Sequence, residues 1–184
     1  MKGIIFNLLE EAVGQTFGPQ TWDTLLETSQ LDGAYTSLGS YPDDELFKLV
    51  GAAASALHKL TDEILRWFGV AAMPLLAAKY PVFFDPHRNT RSFLLTLNDI
   101  IHPEVRKLYP GADVPDFAYE LSTDDNDELI MIHESKRKLC LLAEGFIVGA
   151  ATHFDEIATM EQRACMHRGD PRCLFHLSFQ KRQH

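Results

Sequence analysis

The stretch Asn98-Asp99-Ile100-Ile101-His102-Pro103-Glu104-Val105 decides how the middle of the chain folds. Apolar residues recur at helical spacing from about residue 91 to 109, and His102 borders that apolar face. Pro103 has no N–H, so the carbonyl of Asp99 loses its helical partner, and we expect the helix to bend or open there. A lone histidine beside an apolar face is most often a hydrogen-bonded core residue, but a neutral imidazole can also ligate a metal.

A second polar cluster follows in His133-Glu134-Ser135-Lys136-Arg137. Side chains alternate along a strand, so residues 133, 135 and 137 are expected on one face. The Arg137 guanidinium can fork onto a carboxylate with two parallel N–H bonds, and the Ser135 hydroxyl can donate a third. The cluster therefore predicts a site for an acidic group, although a charged strand end leading into a helix has the same pattern.

Periodicity predicts an α+β fold in one domain over residues 1–184, with a helical N-terminal part (about 1–60) and a mixed part (about 61–184) that carries an antiparallel sheet. The fourth helix should bend or break at Pro74. The predicted elements are helices at 2–17, from Pro19, from Pro42 to about Leu57, from Thr61, at 91–109 and at 138–154, loops at 29–42 and 80–90, strands at 117–121 and 128–134 around a turn at 124–127, and a hairpin of 158–166 with 173–179.

Composition excludes several classes of function. The 184 residues carry a formal net charge of −9, so neither nucleic acid nor an anionic membrane surface is an expected partner. No stretch approaches the roughly 20 apolar residues that span a bilayer, and the apolar start is broken by Asn7, Glu10 and Glu11. We therefore expect a cytoplasmic protein, in which three cysteines argue against a disulfide framework.

Taken with five further motifs, these clusters resemble the heme nitric oxide/oxygen-binding (H-NOX) family over essentially the whole chain. The motifs are Met1-Lys2-Gly3-Ile4-Ile5-Phe6-Asn7, Ser40-Tyr41-Pro42-Asp43-Asp44-Glu45-Leu46, Trp67-Phe68-Gly69, Gly111-Ala112-Asp113-Val114-Pro115 and Leu139-Cys140-Leu141-Leu142-Ala143-Glu144-Gly145. Each motif is weak by itself, but their order and spacing together are specific.

The resemblance implies a heme b held between the helical and the mixed parts. His102 falls at the proximal iron ligand, and Pro115 at the proline that presses on the porphyrin. Ser135 and Arg137 fall at the last two members of the family's Tyr-x-Ser-x-Arg propionate motif. The tyrosine of that motif is His133 here, so we expect heme binding to persist through Arg137 and to depend on pH through His133. His133 as a second heme ligand is a further alternative.

The resemblance also indicates which gas is sensed. In oxygen-binding members a distal tyrosine stabilises bound oxygen, and its position here is Leu142. The other expected distal residues are also apolar, namely Ile5, Leu9, Leu76 and Phe146. An apolar distal pocket favours NO over oxygen. We therefore expect a heme-based sensor that binds NO and CO but not oxygen.

The family mechanism implies that NO weakens the iron–His102 bond and shifts the protein's conformation. Strain at Pro115 is then relieved, and the two parts of the fold move relative to one another. A separate signalling protein is expected to detect this change, such as a histidine kinase or a cyclic-dinucleotide-signalling protein. The resemblance thus implies a sensor and not an enzyme.

Cys140, Cys165 and Cys173 could hold a zinc ion with one more ligand, because structural zinc takes four Cys or His ligands. The family's nitrogen ligand, three residues before the middle cysteine, is Gln162 here. His167 is the nearest replacement, and His176 is further away. Three reduced thiols without a metal, two of them buried, or a cysteine redox sensor, are the other interpretations of these residues.

Three alternatives to heme stay open. One is a zinc-stabilised interaction domain that has lost heme, which the departures at His133 and Gln162 allow. A module that binds another apolar molecule, such as a lipid, would use the same large core and make His102 and Arg137 incidental. An enzyme built on His153, Asp155 and Glu156 is disfavoured, because such clusters on a helix are mostly solvated and the sequence has no nucleophile elbow, phosphate loop or paired-histidine metal motif.

Overall fold

The computed structural model describes residues 1–121 and 128–183. The predicted turn at 124–127 lies outside the described residues. Within them the α+β fold class is confirmed, with helices packed against an antiparallel sheet. The division into parts at about residue 60 stays a prediction. None of the described helices combines the length and the apolar character that crossing a membrane requires.

The helices follow the predicted order. They are α1 (Gly3–Phe17), α2 (Pro19–Ser29), α3 (Asp43–Leu57), α4 (Thr61–Lys79), α5 (Thr90–Leu94), α6 (His102–Leu108) and α7 (Cys140–His153). Pro19 occupies the first turn of α2, where its missing N–H costs nothing. The acidic residues 43–45 lie in the first turn of α3, at the positive end of the helix dipole.

Of the bend or break predicted at Pro74, the break is absent, because α4 continues through this residue. The Pro74 side chain is exposed, whereas its neighbours Met73 and Leu75 are buried. The core packing on either side of the proline holds the helix together despite the one hydrogen bond that proline removes. A single helix at 91–109 is also wrong, since the segment is divided into α5, a π-helical turn over Leu97–Ile101, and α6.

The π-helical turn lies immediately before His102. Its geometry appears in the bond from the backbone N–H of Ile101 to the carbonyl of Thr96, five residues earlier, at 3.0 Å. Such turns hold one residue more than an α-helical turn and occur mostly at functional sites. The opening expected at Pro103 is therefore present as a change of helix type.

Four antiparallel strands form one sheet in the order β1-β2-β4-β3. The strands are β1 (Asp116–Leu121), β2 (Leu129–Glu134), β3 (Glu156–Ala164) and β4 (Cys173–Lys181). The predicted hairpin corresponds to β3 and β4, which pair with a register shift between Gln162 and Ala164. The strand β1 lies at one end of the sheet and pairs only with β2 among the described strands.

Glycines let α4 and α7 approach closely. A Cβ atom on Gly69 would lie 2.5 Å from the Leu142 carbonyl oxygen, and one on Gly149 would lie 2.7 Å from Cβ of Met73. The side chains of Arg66 and Glu144 form an ion pair between the same two helices. This contact fixes α7 and the pocket residues it carries relative to α4.

Candidate functional site

A cavity of about 440 Å³ lies between helices α1, α4 and α7 and the segment α5–α6 with its neighbouring strands. This volume is within the usual range for small-molecule and cofactor sites. Its lining is predominantly apolar, with a few polar groups that include His102, His133, Ser135 and Arg137. The structure therefore brings the two polar clusters of the sequence to one cavity.

The His102 side chain is nine-tenths buried at the first residue of α6. Its Nδ1 atom has no hydrogen-bond partner. Burial, and then the charge of Arg106, lower the pKa of His102 to about 4, so the ring is neutral at physiological pH. A neutral imidazole with a free nitrogen facing an apolar cavity is the form that ligates a metal.

The residues of the second cluster do not lie along one strand face. The strand β2 ends at Glu134, and residues 135–138 form a turn in which the Lys138 N–H donates to the Ser135 carbonyl at 3.1 Å. The prediction of a strand that continues to residue 137 is therefore wrong. Ser135 Oγ accepts a hydrogen bond from the Arg137 N–H at 3.2 Å, and this bond stabilises the turn in place of the strand. The turn still leaves Ser135 and Arg137 on the cavity wall.

The Arg137 guanidinium, which was expected to bind a ligand carboxylate, is bound by Asp43 and Asp113. Arg137 Nε donates to Asp43 at 2.7 Å, and its Nη1 donates to the Asp113 carbonyl at 2.6 Å and lies 3.1 Å from the Asp113 carboxylate. These contacts join the start of α3 to the turn after β2 at the rim of the cavity. Neither partner of Arg137 was predicted from the sequence, because Asp43 lies 94 residues away and Asp113 lies 24 residues away in the chain.

His133 is buried, with 1% of its surface exposed. Its Nδ1 atom has no hydrogen-bond partner among the residues that the structure describes. Its ring centroid lies 5.4 Å from that of Phe117, which in turn lies 5.6 Å from that of His102. Burial lowers the pKa of His133 to about 4. The expectation that His133 titrates near neutral pH is therefore corrected, since burial keeps its ring neutral there.

This shift predicts acid sensitivity of the heme-free protein. The fold favours the neutral ring, so the stability is complete above the ordinary pKa of 6.5 and is lost as the pH falls toward about 4. The loss attributable to His133 approaches about 3 kcal/mol over this range. We expect His133→Phe to lose less stability than the wild type in urea unfolding measured at pH 7, 5 and 4.

The exposed His153 supplies the control for this prediction. The variant His153→Gln should follow the wild-type pH profile. Identical pH profiles for His133→Phe and the wild type would contradict the role given to burial of His133.

Apolar side chains form the wall contributed by α1, α4 and α7. Four of the five expected distal residues line the cavity, namely Ile5, Leu76, Leu142 and Phe146. Leu9 instead lines a second, smaller apolar cavity of about 290 Å³ with Val13 and Trp67, and its neighbour Leu8 reaches the main cavity. Pro115 lies on the main cavity wall, as expected.

Two tyrosines that were not predicted from the sequence also line the main cavity. Tyr80 follows α4 and Tyr109 follows α6, and both line the cavity with their hydroxyls hydrogen-bonded to one another. Burial, followed by the bond to Tyr80, raises the pKa of Tyr109. Because each hydroxyl has a protein partner, the pair joins the ends of α4 and α6 within an otherwise apolar wall.

The three cysteines meet outside the cavity. The sulfurs of Cys140, Cys165 and Cys173 lie within 4.8 Å of one another, and all three side chains are buried. His167 lies elsewhere, since its Nε2 bonds to the Lys138 carbonyl at 2.7 Å and its side chain is exposed. Burial raises the pKa of the Cys140 thiol, and the two neighbouring cysteines raise it further.

An α+β fold around an apolar cavity, with a buried unpartnered imidazole on one wall and an arginine at the rim, defines a heme-binding class of protein. The family model described as Haem-NO-binding matches residues 2–162. The chain therefore belongs to the H-NOX family, whose members are heme-based gas sensors and not enzymes.

Solved structures agree with this assignment. An H-NOX protein from S. oneidensis in the Fe(II)NO ligation state has 33% identity and a TM-score of 0.91, covering 98% of this chain and 100% of that chain. The Shewanella oneidensis domain in the Fe(II)CO ligation state has 33% identity and a TM-score of 0.88, with 99% and 100% covered. The unliganded Fe(II) protein from K. algicida has 26% identity and a TM-score of 0.85, with 100% and 99% covered.

Proposed function

We propose that the chain is a nitric oxide sensor that holds heme b in the main cavity, with His102 as the iron ligand. The observation that carries this proposal is the buried His102 ring, whose Nδ1 has no hydrogen-bond partner within the described part of the chain and which shares the cavity with the apolar wall of Ile5, Leu76, Leu142 and Phe146. A ferrous heme bound there would supply the iron to which NO binds, and His102 would be the protein ligand of that iron. The protein's part is to present a neutral imidazole and to exclude water.

The segment α5–α6 is the part of the chain that responds to the state of His102. It carries the π-helical turn and Pro103, so its hydrogen bonding is already weaker than that of a continuous helix. Release of His102 would allow this segment to shift and Pro115, which lies on the same cavity, to relax. The contact between α4 and α7 is rigid by comparison, so the relative motion is expected at α5–α6 and the sheet.

Arg137 and Ser135 would hold the acidic groups of the heme. The Arg137 guanidinium is held toward the cavity by Asp43 and Asp113, which leaves its Nη2 donors for a ligand carboxylate. The Ser135 hydroxyl oxygen accepts from the Arg137 N–H, and its own hydrogen stays available for donation. H-NOX structures that share 33% identity with this chain are in the Fe(II)NO and Fe(II)CO ligation states, which supports this placement.

The test is an absorption spectrum of the reduced protein under nitrogen, then with oxygen and with NO. We expect one ferrous Soret band that NO shifts and oxygen leaves in place. The absence of any Soret band after heme is supplied would overturn the heme assignment and favour a site for another apolar molecule. A stable spectrum of an oxygen complex would retain heme and overturn the selectivity for NO.

The apolar wall also predicts the effect of Leu142→Tyr. A hydroxyl on α7 facing the cavity would give bound oxygen the hydrogen-bond donor that Leu142 lacks. We expect the variant to form an oxygen complex that the wild type does not form, measured by its absorption spectrum. Leu142→Phe, which adds a ring without a donor, is the matched control and should behave like the wild type toward oxygen.

We further propose that a histidine kinase or a cyclic-dinucleotide-signalling protein detects the shift of α5–α6. The support for this is the family's role as gas sensors, which requires a downstream partner. The autophosphorylation rate or nucleotide turnover of a candidate partner should differ between the unliganded and the NO-bound protein. Equal rates with both forms would exclude that candidate.

The cysteine cluster supports a second, independent proposal of a structural zinc ion. Three buried sulfurs within 4.8 Å match three of the four ligands of such a site. His167 does not supply the fourth ligand in this arrangement, because its Nε2 bonds to the Lys138 carbonyl at 2.7 Å. We expect one zinc per chain by metal analysis, lost in Cys173→Ala; zinc-free protein with full stability would remove the site.

A further inference from the structure

The free edge of β1 is where the segment that carries His102 is joined to the sheet. The Asn98 side chain on the π-helical turn donates from Nδ2 to the Phe117 carbonyl, and its Oδ1 accepts from the Phe117 N–H at 3.2 Å. One side-chain amide thus takes both backbone hydrogen bonds that an additional strand would take. The strand edge and the π-helical turn are held together by this pair of bonds.

A further hydrogen bond joins β1 to the end of α5. The Tyr119 hydroxyl donates to the carbonyl of Leu94, the last residue of α5, at 2.6 Å. The strand β1 therefore holds the segment at the end of α5 and again at the π-helical turn. None of these three bonds involves a charged group, so salt should not weaken this attachment.

The Phe117 side chain continues the connection to the ligand. Its ring lies beside the His102 ring, and its backbone is the part that Asn98 holds. Asn98 precedes His102 by four residues, about one helical turn. Because Asn98 is bonded to the edge of β1, the π-helical turn and the His102 imidazole that follows it are held near the Phe117 ring and the cavity.

We propose that Asn98 is a positioning residue for His102, which it orients toward the iron by holding the π-helical turn on the edge of β1. This inference rests on the proposed function, because it concerns how His102 meets a heme. Asn98 has no contact with the ligand itself in this role. Its effect passes through the backbone of Phe117 and the π-helical turn.

The position of the π-helical turn explains why such a residue is needed. Pro103 removes the N–H that would bind the Asp99 carbonyl, so the segment is less restrained by its own backbone than an ordinary helix. Without the Asn98 bonds the imidazole would sample more orientations, most of which overlap less well with the iron. The iron–His102 bond would then be weaker on average and easier to break.

The experiment compares Asn98→Ala and Asn98→Asp with the wild type. The aspartate keeps the size of the side chain and the acceptor for the Phe117 N–H, but it replaces the donor by a charged oxygen that faces the Phe117 carbonyl. It therefore breaks one of the two bonds without leaving a cavity, and it covers the case in which the alanine variant fails to fold. Ile100→Ala is the matched control, because Ile100 lies on the same turn with an exposed side chain. Resonance Raman spectra of the ferrous proteins report the iron–His102 stretching band, and stopped-flow absorption reports how fast NO breaks that bond.

For both Asn98 variants we expect a broader stretching band at lower frequency and faster bond breakage. The loss of one hydrogen bond in Asn98→Asp implies an increase of roughly threefold to tenfold, and Asn98→Ala, which loses both bonds, should show at least as large an increase. Amide exchange in the heme-free protein gives an independent readout. The Phe117 amide should exchange at least about tenfold faster in Asn98→Ala but not in Asn98→Asp. Ile100→Ala should match the wild type in all three measurements.

The outcomes separate this inference from the proposed function. A wild-type chain that binds no heme overturns the proposed function, and the positioning role with it. A wild-type chain with a normal heme spectrum, together with Asn98 variants whose stretching band and NO kinetics are unchanged, overturns only the positioning role.

Discussion

The variant His102→Gly should lose its heme during purification, and added imidazole should restore it. The iron would lose its only expected protein ligand, and the space left beside Phe117 would accept an imidazole from solution. Loss of an outer-sphere partner alone weakens metal binding about 10–100-fold, so loss of the ligand should weaken heme binding at least about a hundredfold. The measurement is the Soret absorbance per protein, with and without imidazole.

An exposed histidine offers the matched control. His58 adopts a left-handed backbone conformation with φ of 52° after α3, which glycine tolerates, so His58→Gly should fold and keep its heme. Full retention of heme by His102→Gly without imidazole would show that another residue is the ligand. Within the described cavity His133 would then be the next histidine to test.

The variant Gly145→Ala should be the most destabilising of the glycine substitutions at the contact between α4 and α7. A Cβ atom there would lie 2.9 Å from the Gly69 Cα and 3.0 Å from the Arg66 carbonyl carbon, both of them backbone atoms. The two helices must then separate, and overpacking of this kind costs about 3 kcal/mol. For a chain of this size we expect the melting temperature to fall by about 10 °C.

Gly14→Ala tests whether crowding is the cause. Gly14 also lies inside a helix, but a Cβ atom there would meet nothing within 4 Å. This substitution should raise stability by about 0.5–1 kcal/mol, because alanine restricts the unfolded chain. Equal effects of the two substitutions would contradict the close approach of α4 and α7.

Local sequence signals carried the prediction of the fold class and of the main site residues. The helix starts at Pro19 and at residues 43–45 follow from residue chemistry alone, and the polar clusters around His102 and Arg137 were visible as clusters. The break at Pro74 was wrong because packing on either side of a residue is invisible to a local rule. The prediction that Leu9 lines the main cavity failed for a related reason. Consecutive residues of a helix point about 100° apart, and the packing of α1 turns Leu8 toward the main cavity and Leu9 toward the smaller one.

Other parts of the site could not be predicted because they depend on distant pairs. The hydroxyl pair of Tyr80 and Tyr109 joins residues 29 apart that follow different helices. The Asp43 partner of Arg137 is found only when α3 and the turn after β2 are brought together. The π-helical turn has the same apolar spacing as an α-helix over so few residues, so periodicity gave no sign of it.

The position of β4 sets the order in which the sheet can be completed. Among the described strands β4 is the last in the sequence, yet it lies between β2 and β3 and is the neighbour that joins them. During synthesis β2 and β3 must therefore wait for residues 173–181 before either gains this neighbour. The cavity wall that carries Met131 and His133 therefore gains its neighbouring strand β4 late in folding. Because this pairing joins residues far apart in the sequence, we expect it to be a slow step of folding.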